Sequence, residues 1–172
     1  IKEFAVKAES CLSDLSDDQG LASSKEALIY LDKIIKDAAP NAYYFLLRAD
    51  AKYRRPSLLG EVNPSPILSA LEDISTAIEL DPDQAFFYQM RGDILFSMAT
   101  RYKIGANSNE QLMMVLADYK IAQRKNPISS EVWLNLIAVS ILVNDWDEAI
   151  SFYGQSKPYI TDRTDQPIRA WL

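Results

Sequence analysis

The spacing of apolar residues constrains the fold of this chain more than any other feature. Apolar residues recur every three or four positions along almost the whole sequence, and no stretch alternates strictly between apolar and polar residues. The first pattern is typical of an amphipathic helix, whereas the second would indicate a half-buried strand. Prolines, glycines and short polar turns divide the helical pattern into eight segments. The sequence therefore predicts an all-α fold.

The predicted helix boundaries follow from this punctuation. The helices are expected to cover about 4–15, 24–38, 41–55, 65–80, 84–104, 108–125, 130–143 and 146–156. Ser24 can cap the second helix, and Pro56, which has no N–H to donate, is expected to end the third. Residues 56–64 are therefore predicted to form a loop. A length of 172 residues suits a single domain.

The composition excludes most familiar catalytic sites. The chain has no histidine and one cysteine, Cys11, so it lacks a Ser-His-Asp or Cys-His triad, a histidine-bearing zinc site and an internal disulfide. Adjacent carboxylates such as Glu72 and Asp73 point apart on a helix, and we expect them to be solvated. The sequence predicts no catalytic residue, no metal site and no cofactor.

Charge, hydropathy and cysteine content limit the classes of partner and the compartments that we expect for this chain. The net charge of −6 repels phosphate, and no basic stripe offsets it, so we expect no nucleic-acid partner. The longest apolar run, 132–143, is far shorter than the ~20 residues that span a bilayer. The lone Cys11 favours the cytoplasm, a reducing compartment. An extracytoplasmic location stays open because the chain begins with Ile1 rather than methionine.

The predicted helices repeat in pairs. Aligning the fourth and sixth helices at the prolines that follow them superposes Ile74 on Tyr119. In the same frame, Ala149 of the last helix lies 34 residues after Val115. The strings that carry the repeat are 48–50 with 91–93, 70–82, 133–136 and 144–153.

With this period and these strings, the chain resembles the tetratricopeptide repeat family. The resemblance covers about Ser24 to Ser156 and implies a right-handed α-α superhelix, or solenoid, of about four helix hairpins. Ala49 and Gly92 would occupy the small-residue position where paired helices touch. Within one domain, 1–172, the implied parts are an atypical N-terminal repeat, 1–40; a repeat with the inserted loop 56–64, 41–83; a repeat with lengthened helices, 84–127; a regular repeat, 128–157; and a C-terminal capping segment, 158–172.

The resemblance also implies a concave groove lined by the first helix of each pair. Its projected lining is apolar, aromatic and slightly acidic: Tyr43, Leu46, Leu47, Asp50, Tyr53, Phe86, Gln89, Met90, Asp93, Phe96, Leu134, Asn135 and Ala138. Family members that grip a C-terminal carboxylate use lysine, arginine and asparagine there, and only Asn135 matches. We therefore expect a non-catalytic scaffold or adaptor that binds a protein or peptide through apolar anchors, with a basic ligand residue near Asp50 and Asp93.

A structural or self-association module is the alternative interpretation. Helix 130–143 is apolar around nearly its whole circumference, so it must be covered on most sides. The segment 158–172 can supply one cover, and a homodimer could supply another. In this alternative the groove is occupied by the protein itself. An enzyme is disfavoured by the missing histidine and the missing catalytic motifs.

Overall fold

Helices account for almost all of the described chain. A computed structural model describes residues 2–13, 20–59, 64–103 and 108–160. Within these ranges it contains no strand, so the all-α prediction is confirmed, and no helix there has the length and apolarity to cross a bilayer. The elements are α1 Lys2–Ser13, α2 Gly20–Asp37, α3 Ala42–Leu59, α4 Ser65–Leu80, α5 Ala85–Ser97, a π-helical turn Met98–Tyr102, α6 Ser108–Lys125, α7 Ser130–Leu142 and α8 Trp146–Ser156.

The chain forms two compact units, Ile1–Asp83 with α1 to α4 and Gln84–Leu172 with α5 to α8. In each unit the main contacts join helices that are consecutive in the chain. Because the connections are short, a helix and its successor form a helical hairpin. Each unit is therefore built from two hairpins.

Small residues let the helices of the first unit approach closely. Ala8 of α1 packs with Ala27 and Leu31 of α2 in a buried cluster. Ser24 lies in the second turn of α2, and its buried hydroxyl donates a hydrogen bond to the Ala51 carbonyl of α3 at 3.1 Å. The prediction that Ser24 caps this helix is therefore wrong, because α2 begins earlier and the serine faces its neighbour.

α3 continues through a proline. The helix was expected to stop at Pro56, but it runs to Leu59. Residues 56–59 of the predicted loop are thus helical, and 60–63 lie outside the described residues. The missing N–H of Pro56 removes one helical hydrogen bond, to the Lys52 carbonyl. Since Pro56 lies in the last turn, little of the helix depends on that bond.

A π-helical turn interrupts the predicted helix 84–104. The α-helical part ends at Ser97, the turn Met98–Tyr102 follows, and Lys103 has a left-handed backbone with φ of 50°. Met98 and Ala99 are buried, so the turn continues the apolar stripe of α5. The wider turn accommodates added residues while keeping them packed.

In the second unit, α7 is covered on several sides. Trp133 is only 3% exposed, and its Nε1 donates to the Pro127 carbonyl at 2.8 Å. Its ring stacks on Tyr159 with centroids 6.1 Å apart and meets the edge of Phe152 at 6.2 Å. Tyr159 belongs to the segment that was expected to cover this helix, and the remainder, 161–172, lies outside the described residues.

Each unit contains an arginine–aspartate ion pair of the same geometry, which joins two consecutive helices. Arg48 of α3 donates from Nε and Nη2 to Asp73 of α4 at 2.9 and 2.6 Å. Arg91 of α5 donates from the same atoms to Asp118 of α6 at 2.8 and 2.6 Å. Both carboxylates are buried. The expectation that Asp73 is solvated is therefore wrong, because an arginine from the neighbouring helix lies against it.

Candidate binding groove

A narrow cleft lies between α5 and α7 in the unit Gln84–Leu172. Its volume is about 40 Å³, and it is lined by Phe96 of α5, Tyr119 of α6, and Asn135, Ala138 and Val139 of α7. We call it the α5–α7 cleft. Its walls are aromatic and aliphatic, with one amide and one phenol. Phe96, Asn135 and Ala138 are among the groove residues that the sequence predicts.

Gly92 allows the Tyr119 ring to approach α5. A Cβ atom at position 92 would lie 2.6 Å from Tyr119 Cε1 and 2.9 Å from Cδ1, well inside van der Waals contact. The expected helix contact at Gly92 is therefore confirmed. Tyr119 is 2% exposed, so its ring is held by packing and its hydroxyl has a defined position. The missing side chain at position 92 thus places the phenol beside the cleft.

Asp93 is the polar centre beside the cleft. Its Oδ1 accepts hydrogen bonds from Tyr119 Oη at 2.6 Å and from Asn135 Nδ2 at 3.4 Å. Loss of water around the carboxyl raises the pKa of Asp93 to about 6; the hydrogen bond from Tyr119 opposes this rise, and the charge of Glu131 adds to it. Both of these donors are neutral groups that stabilise the carboxylate.

Asp50 was predicted to be the counterpart of Asp93, but its surroundings differ. Asp50 Oδ1 accepts from Nε of Arg54, one turn later on α3, at 2.7 Å. The arginine carries a charge that offsets the carboxylate. The two predicted acidic positions therefore differ: Asp50 pairs with an arginine of its own helix, whereas Asp93 accepts hydrogen bonds from Tyr119 and Asn135 of other helices.

The other predicted groove residues of the first unit differ in exposure. Tyr43 is 45% exposed. Loss of water and a hydrogen bond with Glu9 of α1 raise the pKa of Tyr43. Leu47 packs against the buried cluster of α1 and α2, while Leu46 and Tyr53 are half-buried. Leu47 thus contributes to the interior of this unit as well as to any surface.

Two predicted groove residues of α5 are corrected. Gln89 and Met90 are 8% and 5% exposed, so they lie in the interior, whereas Phe86 is 53% exposed. α5 carries apolar residues on nearly all sides, and periodicity alone does not tell which side faces out. Phe86 precedes Asp93 by two turns on the same face. Leu134, next to the cleft residue Asn135, is half-buried.

Tyr119 and Val139 are not among the predicted groove residues. The sequence nevertheless carries a signal for Tyr119. In the repeat alignment it replaces the smaller Ile74, and Gly92 replaces the larger Ala49. A large residue that faces a small one is the arrangement expected of two positions in contact. Val139 is a cleft residue at a position that the repeat frame does not assign to the groove.

The arrangement can accommodate a polar group of a ligand next to an apolar one. Among the described side chains, no group of three or more histidine, cysteine, aspartate or glutamate residues is placed to bind a metal ion. The cleft offers one amide, one phenol and apolar walls, and the Asp93 carboxyl that lies beside it is hydrogen-bonded to two of the lining residues.

No protein-family model matches the chain, and no curated protein is significantly similar to it. The chemistry of the α5–α7 cleft is therefore the basis for a functional assignment.

The Asp93→Asn substitution is expected to raise the free energy of unfolding by about 1 kcal/mol near neutral pH. The pKa of Asp93 is raised from 3.8 to about 6, so between these values the folded chain binds a proton that the unfolded chain has released, and stability falls as pH rises. A shift of about two units corresponds to about 3 kcal/mol, which solvent reduces because the group is only partly buried. Asparagine keeps an oxygen for Tyr119 without the charge.

Urea unfolding of both proteins between about pH 4 and pH 7.5 measures this effect. The stabilities should converge at the acid end, and the variant should gain its advantage as pH rises through about 6. If the variant is less stable than the wild type at neutral pH, the prediction is wrong, because other interactions in the folded state then stabilise the ionised Asp93 carboxylate.

Proposed function

We propose that this chain is a non-catalytic interaction module of the tetratricopeptide type. It binds a peptide or protein segment in an apolar, slightly acidic groove, and the α5–α7 cleft is part of that groove. Its role is that of a scaffold or adaptor.

The repeated helix pairing supports the family assignment. Arg48 and Asp73 in one unit correspond to Arg91 and Asp118 in the other, and both pairs use the same donor atoms. The residue after each arginine, Ala49 or Gly92, is small and buried. Identical contacts at corresponding positions of successive hairpins are typical of repeat proteins.

The size of the α5–α7 cleft supports binding of a chain segment rather than a small molecule. Pockets for small-molecule ligands measure roughly 300 to 1,000 Å³, whereas this cleft measures about 40 Å³. It can take one group of a ligand whose remainder lies on the surface. The exposed Phe86 and the half-buried Leu134 offer apolar area on the same two helices.

Selection from a library of random peptides displayed on phage tests this function. The Phe86→Ala and Asn135→Ala double variant should bind the selected peptides at least about tenfold more weakly than the wild type, because it loses an exposed aromatic and a cleft amide. Fluorescence anisotropy with labelled peptides measures the affinities, and circular dichroism verifies that helix content is retained.

The matched control is the Met113→Ala and Met114→Ala double variant, which removes two exposed apolar side chains of α6 outside the cleft. It should bind the same peptides as the wild type does. Equal loss in both variants, or no selected peptide at all, would contradict the groove assignment. If light scattering instead shows a dimer that the Phe86 and Asn135 variant dissociates, the self-association alternative replaces it.

A further inference from the structure

We propose that the outer face of α8 is a surface through which two copies of this chain associate. This face carries Trp146, Ile150 and Gly154, which follow one another at intervals of four residues and therefore lie on one side of the helix. The side with Ala149 and Ser156 is buried, and among the described helices α8 packs mainly on α7. Because α8 does not line the α5–α7 cleft, the proposal is independent of the function proposed above.

The first argument is the exposure of this face. Trp146 is 46% exposed and Ile150 is 55% exposed, although both are large apolar side chains. A Cβ atom at Gly154 would meet no atom within 4 Å, so open space lies above the next turn of the helix. Neighbouring exposed apolar side chains that include an aromatic residue are typical of protein interfaces. Covering this face with another apolar surface therefore lowers the free energy.

The second argument is that the face fits a copy of itself. Trp146 precedes Ile150 by four residues, and Gly154 follows it by four residues. A twofold axis through Ile150 therefore pairs two α8 helices antiparallel and brings each Trp146 opposite Gly154 of the other copy. The absent side chain at position 154 leaves room for the indole ring, so a large residue faces a small one. The two Ile150 side chains meet at the axis.

The third argument is charge. Asp147 lies in the first turn of α8 and Lys157 directly follows its last turn, where Lys157 Nζ is 5.3 Å from the centroid of the Tyr153 ring. Both charged residues are exposed. Along the helix they are roughly 15 Å apart, too far to pair within one copy. The antiparallel arrangement reverses the ends, so Lys157 of each copy can reach Asp147 of the other. Two such ion pairs require a partner with the same charge pattern, which favours a second copy over an unrelated protein.

Sedimentation equilibrium of the whole chain between about 5 and about 500 µM measures the association. The wild type should form a dimer, and Ile150→Asp should weaken dimerisation at least about tenfold. Ile128→Asp is the matched control, because it places the same charge at a still more exposed isoleucine outside α8, and it should dimerise as the wild type does. Equal loss in both variants would overturn the proposal. A wild type that stays monomeric would also overturn it and leave residues 161–172 or another protein as the occupant of this face.

The Gly154→Leu variant separates a specific fit from general adhesion of apolar surfaces. It should weaken the dimer at least about tenfold, because leucine fills the space that receives Trp146 of the other copy. A stronger dimer would overturn the packing of Trp146 against Gly154, since an added apolar side chain promotes association through any apolar face. The Phe86→Ala and Asn135→Ala double variant should keep this dimer, which distinguishes it from self-association through the groove. Circular dichroism verifies that each variant retains its helix content.

Exchange of the two charges tests the antiparallel arrangement. Asp147→Lys and Lys157→Glu should each dimerise about tenfold more weakly than the wild type at low salt, because each places like charges opposite one another. An equimolar mixture of the two variants should recover the association, since every lysine then faces a carboxylate. Asp147→Lys reduces the net negative charge of the chain, so overall charge would strengthen its self-association rather than weaken it. A mixture that associates no better than the separate variants would overturn the arrangement.

Discussion

The Arg91→Met substitution is expected to lower the free energy of unfolding by about 3 to 5 kcal/mol. It leaves Asp118, whose side chain is 5% exposed, as a buried charge without the arginine that donates two hydrogen bonds to it. Methionine preserves much of the packing of the arginine stem, so the loss reports mainly on the charge. Urea unfolding followed by circular dichroism measures the change.

The Arg91→Met and Asp118→Leu double variant distinguishes this mechanism from loss of packing. It removes both charges, and its stability should lie much closer to that of the wild type. Arg124→Met, at an exposed position of α6, should change stability by less than about 0.5 kcal/mol. In the first unit, Arg48→Met should cost less than Arg91→Met, since Lys52 still contacts Asp73. A double variant as unstable as Arg91→Met would refute the buried-charge explanation.

The Gly92→Ala substitution is expected to lower the free energy of unfolding by about 2 kcal/mol. The new methyl group would lie 2.6 Å from the Tyr119 ring, so the ring or α5 must move. This cost exceeds the roughly 1 kcal/mol by which alanine favours a helix over glycine. Because the ring positions the hydroxyl that donates to Asp93, the variant should also disturb this hydrogen bond.

Two further variants control for the effect of alanine itself. Gly154 lies in α8, and a Cβ there would meet no atom within 4 Å, so Gly154→Ala should be neutral or stabilising. Combining Gly92→Ala with Tyr119→Ile reproduces the Ala49 and Ile74 pair of the first unit and should restore much of the lost stability. If Gly154→Ala is equally destabilising, steric overlap with Tyr119 is not the cause.

Sequence periodicity predicted most of the helices correctly because helix formation depends on neighbours a few positions apart. The predicted bounds of α4 and α8 are those of the structure. The errors have tertiary causes. Ser24 resembles a cap, but it faces Ala51 of another helix. Pro56 resembles a terminator, but α3 runs on to Leu59.

The candidate site was predictable in part. The repeat frame placed Asp93, Phe96, Asn135 and Ala138 on the groove face, and these four residues lie in or beside one cleft. The same frame included Gln89 and Met90, which are buried. It omitted Tyr119, because this residue reaches the cleft from the second helix of its pair. A projection of single helices does not show how far a side chain extends between them.

The sequence by itself determined the all-α class and the division into hairpins, because periodicity, prolines and polar turns act over a few residues. Only the tertiary structure decided which partners the carboxylates meet. Asp73 and Asp118 meet arginines 25 and 27 residues away, whereas Asp93 meets a tyrosine 26 residues away and an asparagine 42 residues away. Such partners depend on the register of packed helices, which local patterns do not specify. The hydrogen bonds of these carboxylates are therefore a property of the packing.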